Sequence, residues 1–189
     1  MFRSYKSRSD EQLMMLVASN NADAFTELYN RYNAKLLRYF HRMLWNDRQL
    51  AEDFLHDVFV KVIEHPAHFK SELKFSTWIY SVANNMCKNQ FRRNEYRRAF
   101  SETQRAAPAT EEAFMERDEF NDVLCEALLK LDEDDRNLYT LRFEVEMPFE
   151  EIALLLECPV GTVKSRSFYL KKKIASLLTW YNKEKIKYG

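Results

Sequence analysis

Apolar residues recur every three to four positions along most of this chain, which is the spacing of amphipathic helices. This spacing predicts a short first helix behind Ser9, where Ser9 to Gln12 forms a capping box. Longer helices follow, each begun at a polar break or cap, at about 22–44, 48–64 and 77–98. Ser76 is the expected cap of the last of them. Together these helices predict one helical domain over residues 8–98.

The apolar pattern is lost between Ala99 and Glu116, where polar residues surround Pro108. Residues 99–116 are therefore predicted to be a flexible linker. Periodicity resumes near Arg117 and predicts a second helical domain over residues 117–185. The predicted fold class is all-α, with two small helical domains joined by a flexible linker.

The stretch 149–174 contains two helical patterns separated by Cys158-Pro159, where proline interrupts the backbone hydrogen bonding. The second pattern has an apolar face and a strongly basic one. Two helices joined by a turn of a few residues, the second of them basic, predict a helix-turn-helix that reads duplex DNA. An ordinary helical hairpin with a solvated basic face is the alternative. The candidate DNA-reading residues are Thr162, Lys164, Ser165, Arg166 and Lys171.

The predicted helix 77–98 and the residues before it combine aromatic, amide and basic side chains. Rings and amides of this kind can hold unstacked bases, while basic side chains follow the phosphates of a single strand. The alternative is that Trp78 anchors the domain core and that the arginines form a solvated helix end. The candidates for contact with single-stranded DNA are Phe75, Trp78, Tyr80, Asn84, Asn85, Lys88, Arg92 and Arg93.

Composition argues against most catalytic and cofactor-binding classes. The 189 residues include two glycines and three cysteines, with no CxxC pair, so no phosphate-binding loop, zinc site or disulfide framework is indicated. His65 and His68 are separated by a helix-breaking Pro66, which disfavours a shared metal site. With 29 basic and 29 acidic residues, any nucleic-acid surface must come from charge separation along the chain. No cofactor, metal, small-molecule substrate or membrane insertion is expected, and the reduced cysteines suit the cytoplasm.

Three motifs resemble those of bacterial RNA polymerase sigma factors of the extracytoplasmic-function (ECF) group. Residues 51–59, AEDFLHDVF, are similar to the family's region 2.2. Residues 75–85, FSTWIYSVANN, resemble its FxTWLYxIAxN stretch in regions 2.3 and 2.4, and residues 158–166, CPVGTVKSR, match its region 4.2. The motifs stand in the family's order on either side of the polar linker.

The resemblance implies a non-catalytic function in transcription initiation. A face with Asp53, His56, Asp57 and Phe59 would dock on the β′ clamp helices of core RNA polymerase, and the second domain would also hold the β flap. The helix 77–98 would melt the minus-ten promoter element, and the basic helix after Pro159 would read the minus-thirty-five element. An anti-sigma factor is a further candidate partner. The alternative is a stand-alone helix-turn-helix regulator of duplex DNA, and a nucleic-acid enzyme is a third class.

Four positions depart from the family's pattern. His56 stands where glutamine is usual, and Glu157 replaces the glycine before Cys-Pro. Ser167 and Tyr169 replace a leucine and an arginine, just beyond the predicted DNA-reading residues. Because Glu157 replaces that glycine, the turn of the helix-turn-helix must form without a residue that easily adopts positive φ.

Overall fold

The computed structural model describes the backbone of residues 5–45, 47–70, 72–100 and 119–188, and their side chains except at 98–100, 119–122 and 180–188. Every regular element in this part of the chain is helical. The chain divides into two compact units, Met1–Pro108 and Ala109–Gly189. The expected all-α fold with two small domains is confirmed. The predicted linker, residues 99–116, lies outside the described residues beyond position 100.

Four α-helices form the first domain, and α3 has the bounds that the sequence predicts. The helices are α1 (Asp10–Val17), α2 (Ala22–Met43), α3 (Arg48–Glu64) and α4 (Phe75–Phe100), with 3₁₀ turns at Tyr5–Ser7 and Pro66–His68. Four more form the second domain, with a π-helical segment between the second and third of them. They are α5 (Glu119–Leu129), α6 (Glu133–Tyr139), the π segment (Thr140–Glu144), α7 (Phe149–Leu155) and α8 (Val160–Tyr188).

Short polar side chains begin the helices of the first domain. The Ser9 hydroxyl accepts the backbone N–H of Gln12, and the Gln12 side chain accepts the N–H of Ser9, both at 3.2 Å, which completes the predicted capping box. Asn21 and Asp47 cap α2 and α3 in the same way. Each cap satisfies a backbone donor that the helix itself leaves unpaired.

Helix α4 begins differently from the prediction. It starts at Phe75, two residues early, and the backbone N–H of Phe75 donates to Glu11 Oε1 of α1 at 3.0 Å. Ser76 is therefore inside the first turn and is not the cap, because a carboxylate from a distant helix occupies that role. Partial burial acts to raise the pKa of Glu11, but hydrogen bonds from the Phe75 N–H, from its own N–H and from Ser9 lower it below its ordinary value. The start of α4 is thus fixed to α1.

Aromatic rings fill much of the first domain's core. Tyr39 lies edge-to-face against both Phe40 and Tyr80, with ring centroids 5.7 and 5.4 Å apart. Phe75 makes a similar contact with Tyr32 at 5.1 Å. Such pairs contribute roughly 0.5–1.5 kcal/mol each beyond their buried area. The Tyr39–Tyr80 and Tyr32–Phe75 pairs connect α2 to α4, which also packs on α1 and α3.

A buried arginine organises the second domain. Arg136 of α6 is 2% exposed, and its guanidinium donates to the backbone carbonyls of Leu128 and Leu131 at 3.2 and 2.9 Å. The predicted cap, Asp132, accepts the N–H of Asp135 at 2.8 Å and begins α6. The start of α6 is therefore held by its own cap and by the end of α5. The core around it is formed by Leu128, Leu138, Leu141, Ile152, Val163 and Leu170.

Candidate nucleic-acid interface

A tight turn joins α7 to α8 as the helix-turn-helix pattern requires. Glu157 adopts a left-handed conformation with φ of 53°, so a glutamate takes the conformation for which the family has glycine. The backbone N–H of Cys158 donates to the carbonyl of Ala153 at 3.0 Å and ends α7. The carbonyl of Pro159 then accepts the N–H of Thr162 at 2.9 Å in the first turn of α8.

One face of α8 is buried and fixes which residues point outward. Val163, Leu170 and Ile174 of its apolar face are all in the core, whereas Leu177 and Leu178 of the same face are half-buried. Ser167 lies between them and is 3% exposed, so a small hydroxyl occupies the core position of the family's leucine. The opposite face of α8 is open to ligand.

The predicted duplex-reading residues of α8 differ in their exposure. Thr162, Lys164 and Ser165 are exposed in the first two turns, and Lys171 is exposed further along the helix. Arg166 is half-buried instead, with its Nη2 3.7 Å from Asp134 Oδ2 of α6. The predicted arginine therefore lies at the flank of the outward face and faces a carboxylate.

Other cations of α8 also meet partners within the domain. Lys164 Nζ is 3.7 Å from Glu150 of α7, and Lys171 Nζ lies over the ring of Phe143 at 5.4 Å. Lys172 Nζ lies over the ring of Phe168 at 4.4 Å. Phe168 and Tyr169 are 56% and 67% exposed and continue this aromatic and basic surface. Neither residue is in the predicted DNA-reading set.

Lys173 makes the shortest ionic contact of this helix in the described residues. Its ammonium lies 3.0 Å from Asp132 Oδ2 and 2.6 Å from Asp135 Oδ2, at the start of α6. Hydrogen bonds to Asp135 and Asp132 raise the pKa of Lys173, and the bond to Asp135 has the larger effect. Burial tends to raise the pKa of Asp132, but hydrogen bonds from the Asp135 backbone and from Lys173 lower it below its ordinary value.

The predicted aromatic residues of α4 are in the core and not on a nucleic-acid surface. Phe75 and Tyr80 are 0% and 1% exposed, Trp78 is 8% exposed, and Asn84 is 2% exposed. Helix α2 and the turn before α4 cover these side chains, and their contact with bases stays a prediction. Phe69 of that turn packs on the rings of Phe75 and Trp78 at 5.8 and 5.6 Å. Burial raises the pKa of the Tyr80 hydroxyl.

The polar side of α4 carries the remaining predicted residues. Asn85, Arg92 and Arg93 are exposed and Lys88 is half-buried. Asn89 and Tyr96 are also exposed, at helical spacing from Asn85 and Arg92. Neither is among the predicted residues. Their positions four and eleven residues after Asn85 would have placed them on the same face. This side is a continuous stripe of amides, cations and one phenol: Asn85, Lys88, Asn89, Arg92, Arg93 and Tyr96.

The outer side of α3 carries the predicted docking residues with one exception. Asp53, His56 and Asp57 are exposed, and His56 Nδ1 is 3.7 Å from Asp57 Oδ1. Phe59 is 4% exposed and packs on the ring of Tyr29, with centroids 4.8 Å apart, so it offers a partner little surface and its docking role stays a prediction. Ile63, seven residues after His56, is 51% exposed and is the apolar residue that the prediction missed.

Two further features bear on the classes considered from sequence. His65 and His68 are exposed and their rings stack at 5.1 Å. Within residues 5–45, 47–70, 72–100 and 119–188, no group of three or more histidine, cysteine or carboxylate residues is placed to hold a metal ion. In the same part of the chain, no helix is long and apolar enough to cross a membrane.

Comparison with known proteins identifies both domains. The family description Sigma-70 region 2 matches residues 28–97, and Sigma-70, region 4 matches residues 122–174. The chain is 32% identical over 181 residues to the RNA polymerase sigma-H factor of Pseudomonas aeruginosa, covering 89% of this chain and 93% of the relative. It is 29% identical over 179 residues to the ECF RNA polymerase sigma-E factor of Haemophilus influenzae, covering 88% and 93%.

A solved structure agrees with the fold. The sigma factor RpoE from Bartonella quintana, determined in complex with the anti-sigma factor NepR, matches with a TM-score of 0.72 at 20% identity, covering 82% of this chain and 96% of that one. At this identity the likeness concerns the fold. With both region matches in order and a relative similar over most of its length, the chain belongs to the sigma-70 family of RNA polymerase sigma factors, in its extracytoplasmic-function group.

Proposed function

We propose that this chain, a sigma factor that directs core RNA polymerase to specific promoters, does so through three surfaces. The outer side of α3 docks on polymerase, the polar side of α4 holds the melted minus-ten strand, and the outward face of α8 reads the minus-thirty-five duplex. The observation that carries the proposal is the exposed amide and cation stripe of α4, in the same chain as a helix-turn-helix. A regulator of duplex DNA alone has no need of such a stripe.

Polymerase docking uses the acidic and apolar residues that share the outer side of α3. Asp53, His56 and Asp57 provide charge and hydrogen-bond acceptors for the basic groups of the β′ clamp helices. Ile63 adds an exposed apolar contact at the far end of the same helix. Phe59 contributes indirectly, because its contacts with α2 fix the orientation of α3.

Minus-ten recognition uses the polar side of α4 with the turn before it. Asn85 offers an amide that can pair with the edge of an unstacked base, and Lys88, Arg92 and Arg93 follow the phosphates. Extruding a base from the duplex costs a few kcal/mol, which contacts to the single strand offset. Phe75, Trp78 and Tyr80 support this surface from the core, where they determine the shape of α4 and of the preceding turn.

Minus-thirty-five recognition uses the exposed start of α8. Thr162, Lys164 and Ser165 face outward where the first turns of a recognition helix enter the major groove. Lys171 lies farther along α8 and is suited to a phosphate contact. The second domain also holds the β flap through exposed apolar side chains such as Leu154, which is 62% exposed.

The proposal includes partners and setting beyond the promoter. An anti-sigma factor is a candidate regulator, since the solved relative from Bartonella quintana is bound to one. The chain supplies no catalytic group, acts with polymerase in the cytoplasm, and takes no cofactor or small-molecule substrate. Its contribution to transcription is binding energy directed at the polymerase and at two DNA elements.

The docking role is tested by reversing a single charge. Asp53→Arg is expected to weaken binding of the full chain to purified core polymerase by about tenfold or more, because it places a cation opposite the basic groups of the clamp. Glu126→Arg makes the same change of charge at an exposed position of the second domain and is expected to bind within about twofold of the unmodified chain. Unchanged binding by Asp53→Arg would remove α3 as the docking surface.

A further inference from the structure

The acidic start of α6 faces one flank of α8. Asp132 and Asp135 both contact the Lys173 ammonium, at 3.0 and 2.6 Å. Asp134, between them in sequence, is 3.7 Å from the guanidinium of Arg166. Two cations of the recognition helix are thus held by three carboxylates from a single short segment.

These contacts change what Lys173 can do. An ammonium held between two carboxylates sits in a region where negative charge exceeds positive charge, so a DNA phosphate would be repelled from it. Lys171 and Lys172 differ, since their ammonium groups lie over the rings of Phe143 and Phe168. Lys173 is therefore unsuited to a phosphate contact, although it belongs to the same basic run of the sequence.

The spacing of the two contacts suits a role in orienting α8. Arg166 and Lys173 are seven residues apart, so they are two helical turns and about 10 Å apart on the same flank. Between them Leu170 packs in the core at 1% exposure, while the small Ser167 is buried at 3% exposure and fills less volume than the leucine usual in the family. Two ionic contacts two turns apart resist both rotation and tilt of α8 where its apolar packing is reduced.

We propose that Asp134 and Asp135 of α6 are positioning residues for promoter recognition, holding α8 through Arg166 and Lys173 so that Thr162 and Ser165 meet the minus-thirty-five bases. The proposal rests on the proposed function of α8 as the duplex-reading helix. It assigns Arg166 and Lys173 to orientation of the helix, and leaves direct contact with DNA to the exposed residues of the outward face.

The test exchanges the two charges. Lys173→Asp alone is expected to lower the affinity of the reconstituted polymerase holoenzyme for a labelled promoter duplex about three- to tenfold, the range suited to a partly exposed ionic network. The affinity for a duplex whose minus-thirty-five element has been replaced should fall less. In an Asp132→Asn background, which keeps a side-chain cap for α6 and removes the second carboxylate, the double variant Asp135→Lys/Lys173→Asp should return to within about twofold of that background, because it restores the contact with the charges reversed. Lys173→Arg should bind like the unmodified chain.

The salt dependence of binding separates positioning from phosphate contact. A lost phosphate contact reduces the slope of log affinity against log salt by about 0.9, whereas a lost orienting contact leaves the slope unchanged. Lys172→Asp is the matched control at the neighbouring cation. It is expected to reduce the slope of log affinity against log salt, and adding Asp135→Lys is not expected to restore its affinity. Thermal unfolding of each variant verifies that the second domain remains folded.

The outcomes distinguish this inference from the function on which it rests. If the charge-exchanged double variant binds as weakly as Lys173→Asp and both have the reduced slope, Lys173 contacts phosphate and the positioning role is overturned. If the unmodified chain directs polymerase to no promoter, the proposed function fails, and the positioning role fails with it. Normal promoter binding by the unmodified chain with restored binding by the double variant supports both.

Discussion

Arg136 gives the sharpest prediction for stability in the second domain. Its buried guanidinium donates to the carbonyls of Leu128, Leu129 and Leu131, at 3.2, 3.4 and 2.9 Å. Leu128 and Leu129 are the last residues of α5 and Leu131 lies in the turn after it, where a helix leaves carbonyls without internal partners. The Leu128 carbonyl also accepts the N–H of Leu131 at 3.2 Å, so Arg136 is a second donor there. Burial lowers the pKa of Arg136, and the nearby Glu133 opposes that shift. The side chain therefore contributes hydrogen bonds to the end of α5 at the cost of burying a charge.

The change to make is Arg136→Met, which keeps much of the apolar volume and removes every donor. A hydrogen bond from a charged donor contributes about 1.5–3 kcal/mol, and a carbonyl left buried and unpaired costs about 1–3 kcal/mol. Arg136 makes two well-formed hydrogen bonds and one longer one. Their removal is expected to lower the free energy of unfolding by on the order of 3–5 kcal/mol. A domain of roughly 70 residues has a free energy of unfolding of about 3–10 kcal/mol, so this variant is close to unfolding.

Urea unfolding followed by hydrogen exchange measures the two domains separately. Arg136→Met is expected to lower the unfolding midpoint of residues 123–179 and to leave that of residues 5–97 unchanged. Arg142→Met is the matched control, since Arg142 donates one bond, to the Met147 carbonyl at 3.2 Å, and lies half-buried over the Phe149 ring. Its expected loss is about 1 kcal/mol. A loss below about 1 kcal/mol for Arg136→Met would show that the Arg136 guanidinium does not stabilise the end of α5.

Three other changes have defined outcomes. Glu157→Gly should stabilise the second domain by about 0.5–1 kcal/mol, since relief of the left-handed strain exceeds the added entropy of the unfolded chain; a lower melting temperature would contradict this. The Tyr80 hydroxyl is buried without a hydrogen-bond partner among the described residues, so Tyr80→Phe should leave the first domain equally or more stable in urea, and a loss above about 1 kcal/mol would show a missed partner. The Glu11 pKa is lowered on folding, so its bond to Phe75 stabilises above about pH 4.5 and is lost as pH falls through the folded-state value. Glu11→Gln should therefore flatten the fall in the first domain's unfolding midpoint between pH 5 and 3, and an unchanged pH profile would count against the contact.

The parts of the fold that depend on local signals could be predicted from the sequence. Helix α3 has the predicted bounds, because Asp47 caps it and the apolar stripe ends at Pro66. The turn at Cys158-Pro159 and the buried face of α8 follow in the same way from residues near each other in the chain.

The structure differs from the sequence-based predictions where residues distant in the chain determine a contact. The start of α4 depends on Glu11, 64 residues away in the chain, and no local pattern indicates that contact. The sequence does not indicate that the rings of α4 are buried, because aromatic residues serve both in cores and in base stacking. Only the packing of α1, α2 and α3 around α4 decides between these uses. The carboxylates that hold Arg166 and Lys173 likewise come from another helix, so spacing along α8 cannot reveal them.

Runoff transcription with purified core polymerase tests the central claim most directly. The assay compares a pool of promoter fragments with and without the full chain. A chain that directs polymerase to promoters gives discrete new transcripts only in its presence, each starting downstream of a shared pair of minus-thirty-five and minus-ten sequences. No new transcripts, together with tight binding of the chain to duplex DNA in the absence of polymerase, would contradict the account and indicate a stand-alone regulator.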